Sequence, residues 1–181
     1  MVHFDPTWGL TPLAITHKYE FLIESILNQQ LFKYNLRAKR IEENPFSDYD
    51  LGIYLFDFEK LQYGNEICKL DLERKPNDVF PREGIPLRWS RGYSFLQRKT
   101  RKEINYDRDA YMLFDNNPTY PRCRWINYFN LREFGIPKSF NHWGAKNEFI
   151  EIKEGNFPKV FQGYRSFIQW CNCLQNKEIL K

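Results

Sequence analysis

The stretch 44–78, NPFSDYDLGIYLFDFEKLQYGNEICKLDLERKPND, decides how the chain is read. Asp50 heads an apolar run, Leu51, Ile53 and Leu55, and a second apolar run further on ends in Glu73-Arg74-Lys75. The second run alternates with the period of a strand. Ile67, Lys69, Asp71, Glu73 and Lys75 point one way, and Cys68, Leu70, Leu72 and Arg74 the other. Glu73 and Lys75 therefore share a face, with Asp71 beside them as an auxiliary acid. A carboxylate, an amine and one acid from a neighbouring strand suffice to hold a divalent cation and orient a water. The two runs read as antiparallel strands over 50–56 and 67–75, joined through the turn signal Tyr63-Gly64-Asn65. A turn centred near Leu61-Gln62 sets Asp50 opposite Glu73, whereas one centred on Gly64-Asn65 slides Asp57 closer. The first is preferred because Asp50 heads the apolar run; a bulge would change the pairing.

Upstream, Thr11-Pro12 reads as an N-cap and first-turn proline, and Ile15, Tyr19, Leu22, Ile23 and Ile26 make a helical stripe to about Leu31. Glu20 borders that stripe and Glu24 lies farther round, and the plain expectation is that both are solvated. A short strand is expected through Phe32–Ile41, broken by Pro45. Downstream, Pro76 ends the second strand, and Tyr93–Gln97 and Ala110–Phe114 read as short strands. Residues 122–132 fit strand or helix equally, and Phe149–Lys153 is an alternating strand. Pro158 is expected to open a terminal helix carrying Val160, Tyr164, Phe167, Ile168, Cys171 and Leu174 on one face.

The 181 residues suit a single domain, and 42% apolar with 18% aromatic content supports a packed core. A net charge of +4 is mildly basic and compatible with nucleic acid. Basic residues gather at Arg37, Lys39 and Arg40 and again at Arg98, Lys99, Arg101 and Lys102; solvated surface charge is the competing reading. Four cysteines show no zinc-site spacing, so reduced thiols of a cytoplasmic protein are the simplest reading, with the nucleoid or nucleus as alternatives. No signal peptide or membrane span is visible, and neither secretion nor a membrane partner is expected.

At Asp50, Glu73 and Lys75 the chain resembles the PD-(D/E)XK, or restriction-endonuclease-like, nuclease superfamily. That family places an Asp at the start of one core strand and Glu-x-Lys on the next, in the order helix, three-strand meander, helix, strand. The resemblance covers roughly residues 12–115 and implies an α/β fold, a mixed sheet flanked by helices. The single domain 1–181 then divides into an arm (1–10), a nuclease-like core (11–115) and a C-terminal strand-and-helix elaboration (116–181). It implies that Asp50 and Glu73 bind Mg²⁺, with Mn²⁺ as a substitute, and that Lys75 positions the water. Glu20 would be the helix-borne acid that some members carry. This chain departs from the pattern in that Pro45 stands apart from Asp50 and Arg74 replaces the usual apolar residue.

The implied activity is hydrolysis of phosphodiesters in DNA, with RNA also open, and Arg74, Arg98, Lys99, Arg101 and Lys102 would neutralise phosphates. Cutting both strands would call for a homodimer or higher oligomer. Within the chain the rival motif is Glu151-Ile152-Lys153, whose acid partner would have to be Asp109 or Asp115. Asn141-His142 is a fragment of a His-Asn-His pattern without its partners. Tyr93, Tyr106, Tyr120 and Trp125 lie near basic residues as candidate stacking platforms, although core packing accounts for such rings as well. The reading from another class is a non-catalytic nucleic-acid-binding or protein-interaction module in which the acids are structural.

Overall fold

A computed structural model describes residues 12–41, 49–74, 93–96, 103–142 and 145–179. Helix α1 (Pro12–Leu31) has the bounds expected from Pro12 and its stripe, and Ile23, Leu27 and Leu31 are fully buried along it. A 3-10 turn (Phe32–Tyr34) and Asn35, with φ of 54°, then reverse the chain, so the strand expected over 32–41 shortens to β1 (Leu36–Arg40). Strands β2 (Leu51–Asp57) and β3 (Gln62–Arg74) complete an antiparallel meander.

The hairpin between β2 and β3 corrects the expected register. Its turn occupies 58–61, with Asp57 Oδ1 accepting from the Glu59 and Lys60 N–H groups at 3.0 Å each. Leu61 takes the left-handed conformation, φ 51°, where a leucine gives no sequence signal. Gly64 lies inside β3 instead of in the turn; a Cβ there would sit 3.2 Å from Leu55 Cβ, so the close approach favours glycine. Two bulges follow, and Leu51 pairs with Leu70. Asp50, the residue before, thus falls level with Asp71 and not with Glu73. The extra residue also puts Ile67 in the same cluster as Cys68, against simple alternation.

Strand β4 (Tyr93–Leu96) belongs to a second sheet, whereas β5 (Ala110–Phe114) lies parallel to β3 with Leu70 opposite Ala110. The ambiguous segment 122–132 is both of its readings in turn, β6 (Cys123–Asn127) followed by α2 (Tyr128–Phe134). Asn127 makes the switch: its side chain caps the helix by accepting from Asn130 N at 2.8 Å. Strands β7 (Ile136–His142) and β8 (Ala145–Ile152) pair with each other, and β4 joins β8. Pro158 lies in a 3-10 helix (Glu154–Lys159) and does not open the terminal helix. A two-residue strand β9 (Phe161–Gln162) follows, then α3 (Gly163–Ile179).

The result is a mixed α/β fold. The main sheet runs β1-β2-β3-β5-β6-β9 and the smaller one β4-β8-β7. Helices α1 and α3 share one core with the main sheet, where Trp125 stacks 5.4 Å from Phe167 and 5.1 Å from Trp170. Val160, placed by periodicity on the α3 face, packs in the other core instead, among Tyr111, Leu113, Tyr128 and the second sheet. Buried Asp109 ties the layers together, accepting from Lys69 N and Asn105 N at 3.0 Å each and from the Tyr49 hydroxyl at 2.8 Å. Leu70 is fully buried between β2 and β5. Leu70→Ala is expected to cost about 2–5 kcal/mol of stability, read as a lowered denaturant midpoint with an unchanged slope.

Candidate functional site

Asp50 sits at a junction of three segments. Its N–H donates to Leu70 O at 3.2 Å, its carbonyl accepts from Ile41 N at 3.2 Å, and Oδ2 accepts from the Leu72 N–H at 2.6 Å. The head of β2 is thereby pinned to β1 and β3. Helix α1 brings Glu20 to the same corner. Contrary to the solvated expectation, Glu20 is only 9% exposed, with Oε2 at 3.2 Å from His17 Nδ1 and 3.8 Å from Arg40 Nη1. Glu24 is engaged too, accepting from Arg40 N at 2.8 Å, and the Arg40 guanidinium lies 3.4 Å from the centroid of Phe21.

The Glu20 carboxyl titrates above its ordinary value. Burial is the largest cause and the charge of Asp50 the second, while His17 and Arg40 pull it back down. Two carboxylates from different elements therefore feel each other at one end of the meander. Both are hard oxygen donors, the kind that Mg²⁺ takes.

Glu73 lies further along β3, and its Oε2 accepts from the Tyr111 hydroxyl at 2.5 Å. Asp71, on the same face, is buried and accepts from the Tyr128 hydroxyl, whose own ionisation burial and Asp71 push upward. Arg74 is half-buried at the end of β3, on the face opposite Glu73. Lys75, Arg98, Lys99, Arg101 and Lys102 lie outside the described residues. Among the described residues no group of three or more His, Cys, Asp or Glu side chains is arranged to hold a metal ion. The structure thus sets Asp50 and Glu20 near the same end of β1 and Glu73 against a tyrosine.

The alternatives fare differently. Asp57 is spent on the β2–β3 turn, at the far end of β2 from Asp50. Glu151 is in the second sheet, paired at 2.7 Å with Lys138 Nζ; Asp109 is occupied as described, and Asp115 closes its own turn through Arg122 Nε at 2.7 Å. The side chains of Asn141 and His142 lie outside the described residues. Of the candidate stacking rings, Trp125 and Tyr93 are core, Tyr106 sits beneath Arg132 at 4.2 Å, and Tyr120, half exposed, packs edge-on to Tyr164. The buried thiols Cys68 and Cys171 are 3.9 Å apart, and burial pushes Cys68 well above its ordinary range. Among the described residues no helix is long and apolar enough to cross a membrane.

Sequence reasoning missed His17 and Arg40 as partners of Glu20, and Tyr111 as the partner of Glu73. The helical spacing of His17 and Glu20 was a usable signal for the first. No family model, curated protein or solved structure matches the chain.

The raised ionisation of Glu20 makes its charged form a folding cost. That cost is absent below the unfolded value of 4.5 and grows as pH rises through the higher folded value. Glu20→Gln should therefore gain stability relative to wild type between pH 4 and pH 7, read from urea midpoints across the series. Carboxyl-carbon NMR should place the Glu20 midpoint above 4.5 and show it falling in Asp50→Asn.

Proposed function

We propose that the protein is a Mg²⁺-dependent nuclease acting on DNA, with Asp50, Glu73 and Lys75 as the site and Glu20 as the helix-borne acid. The observation that carries this reading is the path of the chain: helix α1, the meander β1-β2-β3 and then β5 parallel to β3, with Asp50 at the head of β2 and Glu73 on β3. That order follows the restriction-endonuclease-like core, although no helix is described between β3 and β5. Asp50 at the head of β2 and Glu20 on α1, both near the end of β1, carry the hard oxygen donors that Mg²⁺ takes.

When bound, Mg²⁺ would acidify a water and neutralise charge on the phosphate. The residues of the chain have separate tasks. Asp50 and Glu20 present oxygen ligands from elements fixed by backbone hydrogen bonds. Glu73 is oriented by the Tyr111 hydroxyl. Lys75, by the resemblance, aligns the attacking water and offsets developing negative charge. Arg74, Arg98, Lys99, Arg101 and Lys102 would contact phosphates, and a dimer or higher oligomer would permit cleavage of both strands.

A second reading is favoured by one observation: the carboxylates of Asp50 and Glu73 each already accept an internal hydrogen bond, from Leu72 N and Tyr111 Oη. On that reading the acids are structural and the scaffold binds nucleic acid or protein without cutting. Cleavage of plasmid, linear and branched DNA with Mg²⁺ or Mn²⁺ separates the two. Metal-dependent cutting is expected, lost in Glu73→Ala and lowered about 10²- to 10³-fold in Lys75→Ala with DNA binding retained. Binding without cutting in the wild type would favour the structural reading.

A further inference from the structure

One face of the meander carries rings and cations that belong to neither hydrophobic core. On β1, Leu36 and Ala38 turn into the helix-side core, so Arg37 and Lys39 turn to the opposite face. There they meet Phe56 of β2 and Tyr63 of β3. The Arg37 guanidinium lies 4.8 Å from the Phe56 centroid and 5.9 Å from that of Tyr63, and Lys39 Nζ lies 5.2 Å from Tyr63. Tyr63 packs edge-on against Phe56, with centroids 4.8 Å apart, and Phe58 does the same at 4.7 Å. Tyr63 and Phe58 nonetheless remain 42% and 41% exposed, bordering an open depression of about 650 Å³.

We infer that this face binds single-stranded nucleic acid, with Tyr63 and Phe58 stacking on bases and Arg37 and Lys39 holding the strand's phosphates. Charge selects the occupant. Of the two acids lining the depression, Asp57 is matched with Lys60 at 3.7 Å and Glu59 lies on the turn beside it, while Glu66 farther along β3 is matched with Lys69 at 3.9 Å. Arg37 and Lys39 contact rings and have no carboxylate partner among the described residues. An apolar partner would strip water from both cations and return nothing for it, whereas a polyanion returns a phosphate for each. Ring exposure selects the strandedness. A duplex hides its base faces in its own stack, but a single strand offers every base as a π-surface, and any base will stack. The face requires neither Asp50, Glu73 nor a metal, so it stands apart from the cleavage reading.

The test is fluorescence anisotropy in EDTA with labelled oligothymidylate, oligouridylate and a duplex of equal length. Wild type is compared with Tyr63→Phe, Tyr63→Ala and Lys39→Glu, the last at an exposed position. The single strands should bind more tightly than the duplex. Tyr63→Ala should weaken them about tenfold while Tyr63→Phe retains affinity. Lys39→Glu should weaken binding and reduce the slope of log K against log salt by about 0.7 for a lost phosphate contact. Single-strand affinity that is absent, weaker than duplex affinity or unchanged in both Tyr63→Ala and Lys39→Glu would overturn the inference. So would self-association that Tyr63→Ala abolishes while oligonucleotide affinity is untouched, since the occupant would then be a second copy of the chain. Because EDTA removes metal-dependent cutting from this assay, its failure and a failure of cleavage are read separately.

Discussion

The parallel junction between β3 and β5 depends on one carboxylate. An antiparallel pair can be set in register by the tight turn that joins it, whereas a parallel pair is joined by a long crossover that sets nothing. Here Asp109 does the setting. It stands directly before β5, and its Oδ1 takes the Lys69 N–H, directly before the Leu70–Ala110 pair. Its Oδ2 takes the Tyr49 hydroxyl and the Asn105 N–H, and its backbone carbonyl receives the Tyr128 N–H. Strands β3 and β5, the head of β2 and the start of α2 all converge on this residue. Tyr49 is the immediate neighbour of Asp50, so the group that aligns the sheet also steadies the strand head on which the proposed site stands.

The same pattern recurs where the main sheet meets the second core. Asp71 and Glu73 turn into that core on successive outward positions of β3, and each is met by a tyrosine hydroxyl, from Tyr128 and Tyr111. A tyrosine brings its own donor on a large apolar ring, so it can satisfy a carboxylate and still pack as core. Tyr111 does both, with its ring 5.1 Å from Phe95 and its hydroxyl on Glu73. The acids on this face are thus held by the core itself.

Much of the fold was legible from the sequence, because period and punctuation agree in α1 and β2, and the turn residues Asn116-Asn117-Pro118 close the apolar run of β5. What was not legible has particular causes. The β2–β3 register was hidden because Leu61 turns without a turn residue, while Gly64, which looks like one, serves a close approach inside a strand. The span 122–132 carried no single period because it changes element at Asn127. Strand β7 begins Ile136-Pro137, a dipeptide that reads as a loop. For the candidate site, Asp50 was legible as the head of β2 but not its register, which the bulges shift from Glu73 to Asp71, and Glu20 read as solvated because its partner Arg40 comes from a different element. The Tyr111–Glu73 contact was not legible, because β5 is buried throughout and its sequence AYMLF shows no alternation to reveal a facing.

Strand β1 ends the main sheet on one side and β9, two residues long, ends it on the other. The termini of a sheet carry backbone groups that a foreign strand can recruit, which is how folded proteins begin to polymerise. With cations at three of its five positions, LRAKR makes that recruitment costly: an identical copy laid alongside would set lysine and arginine against like charge. The basic character of β1 therefore guards the protein against fibrillar self-assembly, whatever else its side chains bind.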